Sequence, residues 1–260
     1  MTIAPKSPPP NKRFKPVPIR FLLPNLLTLL ALCSGVTAIR LSLEGRSEIA
    51  VGAIIFAIVL DAMDGRLARF LNGTSRFGAE LDSLADFVNF GVAPAIMLYF
   101  WSLNSMKTLG WVVCLMLAIA AALRLARFNV ALDDTNKPAW ASNYFTGMPA
   151  PAGALLALAP FYLGFLDLLG DGHIYARGIA VYEVLIALLM VSRVPTFSGK
   201  NLTRVPREAV LPILGGMALV VICLISFPWH SLATISALYL GLVPFSILSY
   251  RRRKREPSSA

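Results

Sequence analysis

Apolar residues gather along this chain in eight runs, approximately Phe21 to Leu41, Ile49 to Met63, Phe77 to Trp101, Thr108 to Phe128, Met148 to Leu168, Ile174 to Val191, Ala209 to Phe227 and Ser231 to Tyr250. Crossing about 30 Å of hydrocarbon takes roughly 20 residues at about 1.5 Å per residue. In lipid each backbone polar group must be satisfied within its own segment, so runs of this kind are read as helices. With 57% hydrophobic and 15% charged residues, the chain is too apolar for an ordinary soluble domain. The expected fold is all-α, a polytopic integral membrane protein of about eight transmembrane helices. Ragged inner ends are expected for the second and third, where a polar window separates them.

Basic residues set the orientation. An even number of spans puts both termini on one side, and that side then carries 20 of the 24 Lys and Arg. Only Arg40, Arg46, Lys107 and Arg177 fall opposite. The positive-inside rule makes the rich side the cytoplasm, and a bacterial inner membrane is the expected location. Removing or adding one span would scatter the basic loops over both faces. The net charge of +10 is therefore chiefly a topology determinant that also favours anionic membrane lipids. Nucleic acid is not an expected partner.

Residues 1–20 contain six prolines and no apolar run, so a proline-rich cytoplasmic arm is expected rather than a cleavable signal peptide. Residues 21–250 form the membrane domain, and 251–260 a basic cytoplasmic tail. Cys33, Cys114 and Cys223 lie in three different runs with no metal-ligand spacing and read as packing residues.

The chemistry sits between the second and third runs, in DAMDGRLARFLNGTSRFGAELDSLAD from Asp61 to Asp86. Asp61 and Asp64 are three apart and Asp82 and Asp86 four apart, spacings that put each pair on one helix face. Gly78 shares the stripe of Asp82 and Asp86 and leaves room for a ligand against the backbone. Four carboxylates at membrane depth are costly and need compensation. Oxygen ligands without His or Cys select hard cations, so Mg²⁺ or Mn²⁺ is the expected cofactor, with two ions accommodated. Gly65 and Ala68 are small, and Arg69 offers a planar donor for phosphate oxygens; Asn72, Gly73, Thr74 and Ser75 make a polar break. Metal and arginine beside small residues suggest a diphosphate ligand. The competing reading is a loop in which the aspartates merely pair with Arg66, Arg69 and Arg76.

The pattern D-x2-D-G-x2-A-R-x8-G-x3-D-x3-D is met by Asp61, Asp64, Gly65, Ala68, Arg69, Gly78, Asp82 and Asp86. By these residues the chain resembles the CDP-alcohol phosphatidyltransferases. The resemblance implies transfer of a phosphatidyl group from CDP-diacylglycerol to an alcohol with release of CMP. It implies metal ligation by Asp61, Asp64 and Asp82, with Asp86 a ligand, the general base, or both. Gly65, Ala68, Arg69, Gly78 and, by its place in the loop, Ser75 would contact the CDP-lipid. PNLLT from Pro24 resembles a further family element that would add Asn25 and Thr28 to the same cavity. A homodimer is likewise implied.

RLARFN from Arg124, FTGMPAPAGA from Phe145 and MVSRVPTFSGK from Met190 resemble the serine-accepting branch of that family. Independently of the resemblance, Arg124 and Arg127 are three apart on one helix face and can aim guanidinium groups at the carboxylate of L-serine. Glycerol 3-phosphate would suit two arginines as well; choline and inositol are more distant alternatives. Topological anchoring is the competing role for both arginines. A membrane transporter with an intramembrane acidic cation site is the rival of a different class. Glu183, a lone carboxylate in the sixth run, is assigned no role.

Overall fold

The computed structural model describes residues 19–71, 73–132, 144–169, 172–192, 195–197 and 207–255. The proline-rich arm, Asn72, Arg193, Lys200 and Arg204 lie outside these residues. Helix α1 spans Ile19–Leu43 and α2 Ser47–Phe70. Next come α3 (Arg76–Phe87), a π-helical turn at Val88–Val92, α4 (Ala93–Trp101) and α5 (Thr108–Leu132). The fifth run forms α6 (Ala150–Ala157) and α7 (Ala159–Phe165); α8 (Ala176–Val191), α9 (Arg207–Ser226) and α10 (Pro228–Arg255) complete the bundle. Strands β1 (Tyr144–Thr146) and β2 (Pro195–Phe197) pair antiparallel and tie the chain after α5 to the chain after α8.

The protein is all-α and of integral membrane type, and every one of the eight expected runs is helical. By length and composition, four stretches among the described residues can cross a membrane: Leu22–Leu43, Arg76–Trp101, Thr108–Ala131 and Ala209–Ser226. Two boundaries differ from the sequence reading. Helix α2 continues unbroken past Met63 to Phe70, so Asp61 and Asp64 stand within a helix instead of at its frayed end. The fifth run breaks at Leu158, because Pro160, in the first turn of α7, has no N–H with which to continue the ladder of α6.

Small residues decide how the first two helices meet. Ala31, Ala38, Ala50, Val51, Ile54 and Ala57 are all buried, and Ser34 donates to the Ala53 carbonyl across the seam at 2.7 Å. Small side chains let two backbones approach closely in lipid, where apolar burial by itself gives little drive for association. The turn joining the two helices needs a left-handed residue, which Gly45 supplies at φ 76°.

Helix α3 starts where it does because Ser75 caps it, accepting from the Gly78 N–H at 3.0 Å. The π turn follows immediately and leads into Pro94, which cannot donate to the helical ladder. The aspartate pair of α3 thus lies between a fixed cap and a helical irregularity. The core below it is built on Phe90, Met97, Leu98, Leu117, Phe161 and Tyr162, all fully buried. Large apolar side chains otherwise face outward, above all on α9, none of whose spanning window is buried within the chain. That is the surface a lipid solvent selects.

Close packing at the other end of the bundle gives a test. A Cβ on Gly110 would collide with the Leu103 carbonyl, whereas one on Gly52 meets nothing within 4 Å. Gly110→Ala is expected to lose about 1–3 kcal/mol to overpacking and to lower the thermal unfolding midpoint in detergent. Gly52→Ala should leave the midpoint unchanged or raise it; equal midpoints for the two variants would refute the contact.

Candidate active site at the aspartate cluster

Asp61 and Asp64 leave α2, and Asp82 and Asp86 leave α3, toward one another. Carboxylate oxygens of Asp61, Asp64 and Asp82 lie within 4.8 Å of one another. Asp61, Asp64 and Asp82 would together hold a hard cation, for which carboxylate oxygens are the fitting ligands. Asp64 is 4% exposed and the other three are half-buried. Asp86 faces Asp61 and lies in the field of Arg124.

The salt-bridged alternative is not what the structure forms. Among the described residues one ion pair occurs, Arg40 with Glu44 at 2.7 Å, and it is remote from the cluster. Arg69 Nε donates instead to the Gly65 carbonyl at 3.0 Å, and Arg66 and Arg76 are exposed. Carboxylates of like charge packed this closely favour a cation or a proton between them, and the oxygen-only donor set fits a hard divalent ion.

Thr28 supports the cluster from behind. Its hydroxyl donates to Asp64 Oδ2 at 2.6 Å, with the Pro24 carbonyl a second acceptor at 3.2 Å. Such outer contacts orient a ligating carboxylate. Thr28 is thereby placed beside the aspartates, one helix removed in sequence.

Two cavities meet at the carboxylates. The smaller, about 530 Å³, is lined by Asn25, Thr28, Gly65, Ala68, Arg69, Ser75 and Gly78 together with Asp64 and Asp82. Every residue that the sequence reading gave to the CDP-lipid is present there. The close approach at Gly78 is real: a Cβ would come within 2.8 Å of Asn25 Oδ1 and 3.1 Å of Ser75 Oγ. The larger cavity, about 1000 Å³, adds Asp61, Asp86, Arg124, Phe128, Asn129, Pro149 and Pro151. Asp64, Gly65, Arg69, Ala79 and Asp82 border both. Such a site can hold an elongated substrate on one side and a small second substrate on the other, with the carboxylates between.

The two arginines of α5 part company. Arg124 lines the larger cavity and lies over the Phe128 ring, 5.4 Å from its centroid. Arg127 is turned to the end of α8, donating to the Val191 carbonyl at 2.5 Å and the Ser192 carbonyl at 3.5 Å. Ser83 and Asn129, which sequence reasoning passed over, also line the larger cavity and bond to each other at 3.0 Å. Their pairing crosses from α3 to α5, and no local spacing marks it. Glu183 is buried on α8, lines neither cavity, and neither of its oxygens is hydrogen-bonded.

The family model described as CDP-alcohol phosphatidyltransferase matches residues 21–192, and a second, CDP-alcohol phosphatidyltransferase 2, matches 208–244. The chain is 38% identical over 240 residues to the CDP-diacylglycerol–serine O-phosphatidyltransferase of Mycobacterium tuberculosis strain H37Rv, covering 91% of this chain and 82% of that protein. It is 34% identical over 184 residues to the protein of the same name from Helicobacter pylori strain 26695, with 70% and 75% covered. The archaetidylserine synthase of Methanothermobacter thermautotrophicus is 34% identical over 178 residues, with 66% and 70% covered.

Arg127→Gln is expected to cost on the order of 1.5–3 kcal/mol through lost charged hydrogen bonds, seen as a lower unfolding midpoint. The KM for either substrate should stay within about twofold. An unchanged midpoint with a raised acceptor KM would return Arg127 to the binding site.

Proposed function

We propose that this chain, which belongs to the CDP-alcohol phosphatidyltransferase family, transfers the phosphatidyl group of CDP-diacylglycerol to L-serine, giving phosphatidylserine and CMP. The observation that carries the reaction is the cluster of Asp61, Asp64 and Asp82 at the junction of two cavities, with no arginine among the described residues paired to it. The acceptor is supported by the names of relatives that align with most of the chain and by Arg124 in the larger cavity.

In this reading the cytidine diphosphate lies in the smaller cavity. Gly65, Ala68 and Gly78 leave space for it, and Arg69 and Ser75 face its oxygens. Asp61, Asp64 and Asp82, with Asp86 at their side, hold two divalent ions, Mg²⁺ or Mn²⁺. Bound there, the metals supply positive charge to the diphosphate and to the departing CMP phosphate. Asp86 accepts the proton of the serine hydroxyl as that oxygen bonds to the phosphatidyl phosphorus and the P–O bond to CMP breaks. Arg124 holds the serine carboxylate. The acyl chains stay in the bilayer and the amino acid arrives from the cytoplasm, consistent with a site at the basic end of the bundle. A bacterial inner membrane, cytoplasmic termini and a homodimer belong to the same proposal. So does the division into arm 1–20, membrane domain 21–250 and tail 251–260.

The test is CMP release by the purified protein from CDP-diacylglycerol with Mg²⁺ or Mn²⁺. Release should require L-serine and stop on chelation of the metal. Equal or faster turnover with glycerol 3-phosphate, choline or inositol would overturn the acceptor, and no release with any alcohol would favour a transporter. Asp86→Asn is expected to slow turnover by about 10²–10⁴-fold with CDP-diacylglycerol still bound; retained activity removes Asp86 as the base. Thr28→Val should raise the metal concentration for half-maximal rate by about 10–100-fold, and Thr28→Ser should restore it.

A further inference from the structure

The larger cavity contains an interaction that the reaction as described does not use. Ser83 Oγ lies 3.0 Å from the Ala79 carbonyl one turn back in α3, and 3.0 Å from Asn129 Nδ2. A hydroxyl has one proton. Donated to Ala79, it leaves the Ser83 oxygen to accept from the Asn129 amide, which fixes the orientation of that amide. Asn129 Oδ1 is then left with only a 3.4 Å approach to Ser83 Oγ. It is an oriented acceptor on the wall of the cavity that holds Arg124 and Asp86.

The neighbouring groups give this acceptor a meaning. Arg124 is held over Phe128 and presents positive charge. Asp86 stands close enough to Arg124 to share its field. Glu80, one turn before Ser83 on α3, lines the same space and carries a negative charge, with Arg76 one turn further back. The wall thus offers a donor for a carboxylate, a base for a hydroxyl, and an acceptor with negative charge nearby. Those are the three complements of a zwitterionic β-hydroxy amino acid.

We infer that the Ser83–Asn129 pair recognises the amino group of the acceptor, Asn129 Oδ1 accepting from the ammonium and Ser83 holding the amide in position. The inference rests on the serine reading above and extends it. Glycerol 3-phosphate has no ammonium to satisfy Asn129, so the pair also explains how a cavity lined by Arg69, Arg76 and Arg124 discriminates against a second anionic alcohol. Three fixed contacts on one carbon centre further imply discrimination between L- and D-serine.

The experiment compares kcat/KM for L-serine, D-serine, ethanolamine, which lacks the carboxylate, and 3-hydroxypropionate, which lacks the amine, in wild type, Asn129→Leu, Asn129→Asp and Ser83→Ala. Asn129→Leu is expected to raise the serine KM by about 10–100-fold, with the KM for CDP-diacylglycerol within twofold. Its preference for serine over 3-hydroxypropionate should shrink by a similar factor. Asn129→Asp keeps an acceptor and should hold the serine KM within about threefold; Ser83→Ala should fall between. If Asn129→Leu does not fold, Ser83→Ala decides, with Asn129→Asp as the control that keeps an acceptor. An unchanged serine KM in Asn129→Leu, or in Ser83→Ala where the Leu variant does not fold, or an equal loss for serine and 3-hydroxypropionate, overturns the assignment. Serine-dependent turnover in wild type with unaffected variants defeats this inference alone. Absence of serine-dependent turnover in wild type defeats the proposed function, and this inference with it.

Discussion

The site depends on repulsion. Asp61, Asp64 and Asp82 bring carboxylate oxygens within 4.8 Å of one another in a partly desolvated cleft, and no described arginine is close enough to any of them to form an ion pair. Desolvation and like charge act in the same direction there, so the arrangement is relieved by a bound cation or by proton uptake, and the oxygen-only donor set suits a hard cation. A transported ion could in principle satisfy the same cluster. What separates the two uses is the surrounding space: cavities on both sides of the carboxylates, one with Arg69 and glycine at its wall, suit a diphosphate and a second small molecule. A path for a lone ion needs neither.

The scaffold holds this unfavourable cluster together through interactions made elsewhere. Alanines between α1 and α2 let those helices approach closely, and the approach carries Thr28 to Asp64. The Ser75 cap sets where α3 begins, hence which way Asp82 and Asp86 point. Beyond Asp86, the π turn at Val88–Val92 absorbs the change of register before Pro94, so α4 can present Met97 and Leu98 to the core without rotating the aspartates away. Preorganisation of this kind is paid for by packing remote from the chemistry.

Much of this was readable from the sequence. Helical spacing fixed the two aspartate pairs, and apolar runs located every helix, because both signals are local and periodic. All seven residues expected at the CDP-lipid line one cavity, Gly65, Ala68, Arg69, Ser75 and Gly78 from the α2–α3 motif and Asn25 and Thr28 from α1. Where the sequence misled or was silent, the cause is tertiary. Arg124 and Arg127 share a helix face by spacing, yet α8 ends beside one of them and takes its donors. Ser83 and Asn129 are 46 residues apart and meet only when α3 packs on α5. The run of α2 to Phe70 shows that charged residues do not end a helix whose polar side faces a cavity.

Metal binding is the most direct measure of the central claim, because it requires neither substrate nor an assumed acceptor. Mn²⁺ titrated into the purified protein and followed by electron paramagnetic resonance should bind saturably to wild type. Binding should be lost in the Asp61→Asn, Asp82→Asn double variant, with the unfolding midpoint of the metal-free protein unchanged or raised. Undiminished binding in that variant would contradict the assignment of the cluster as the metal centre.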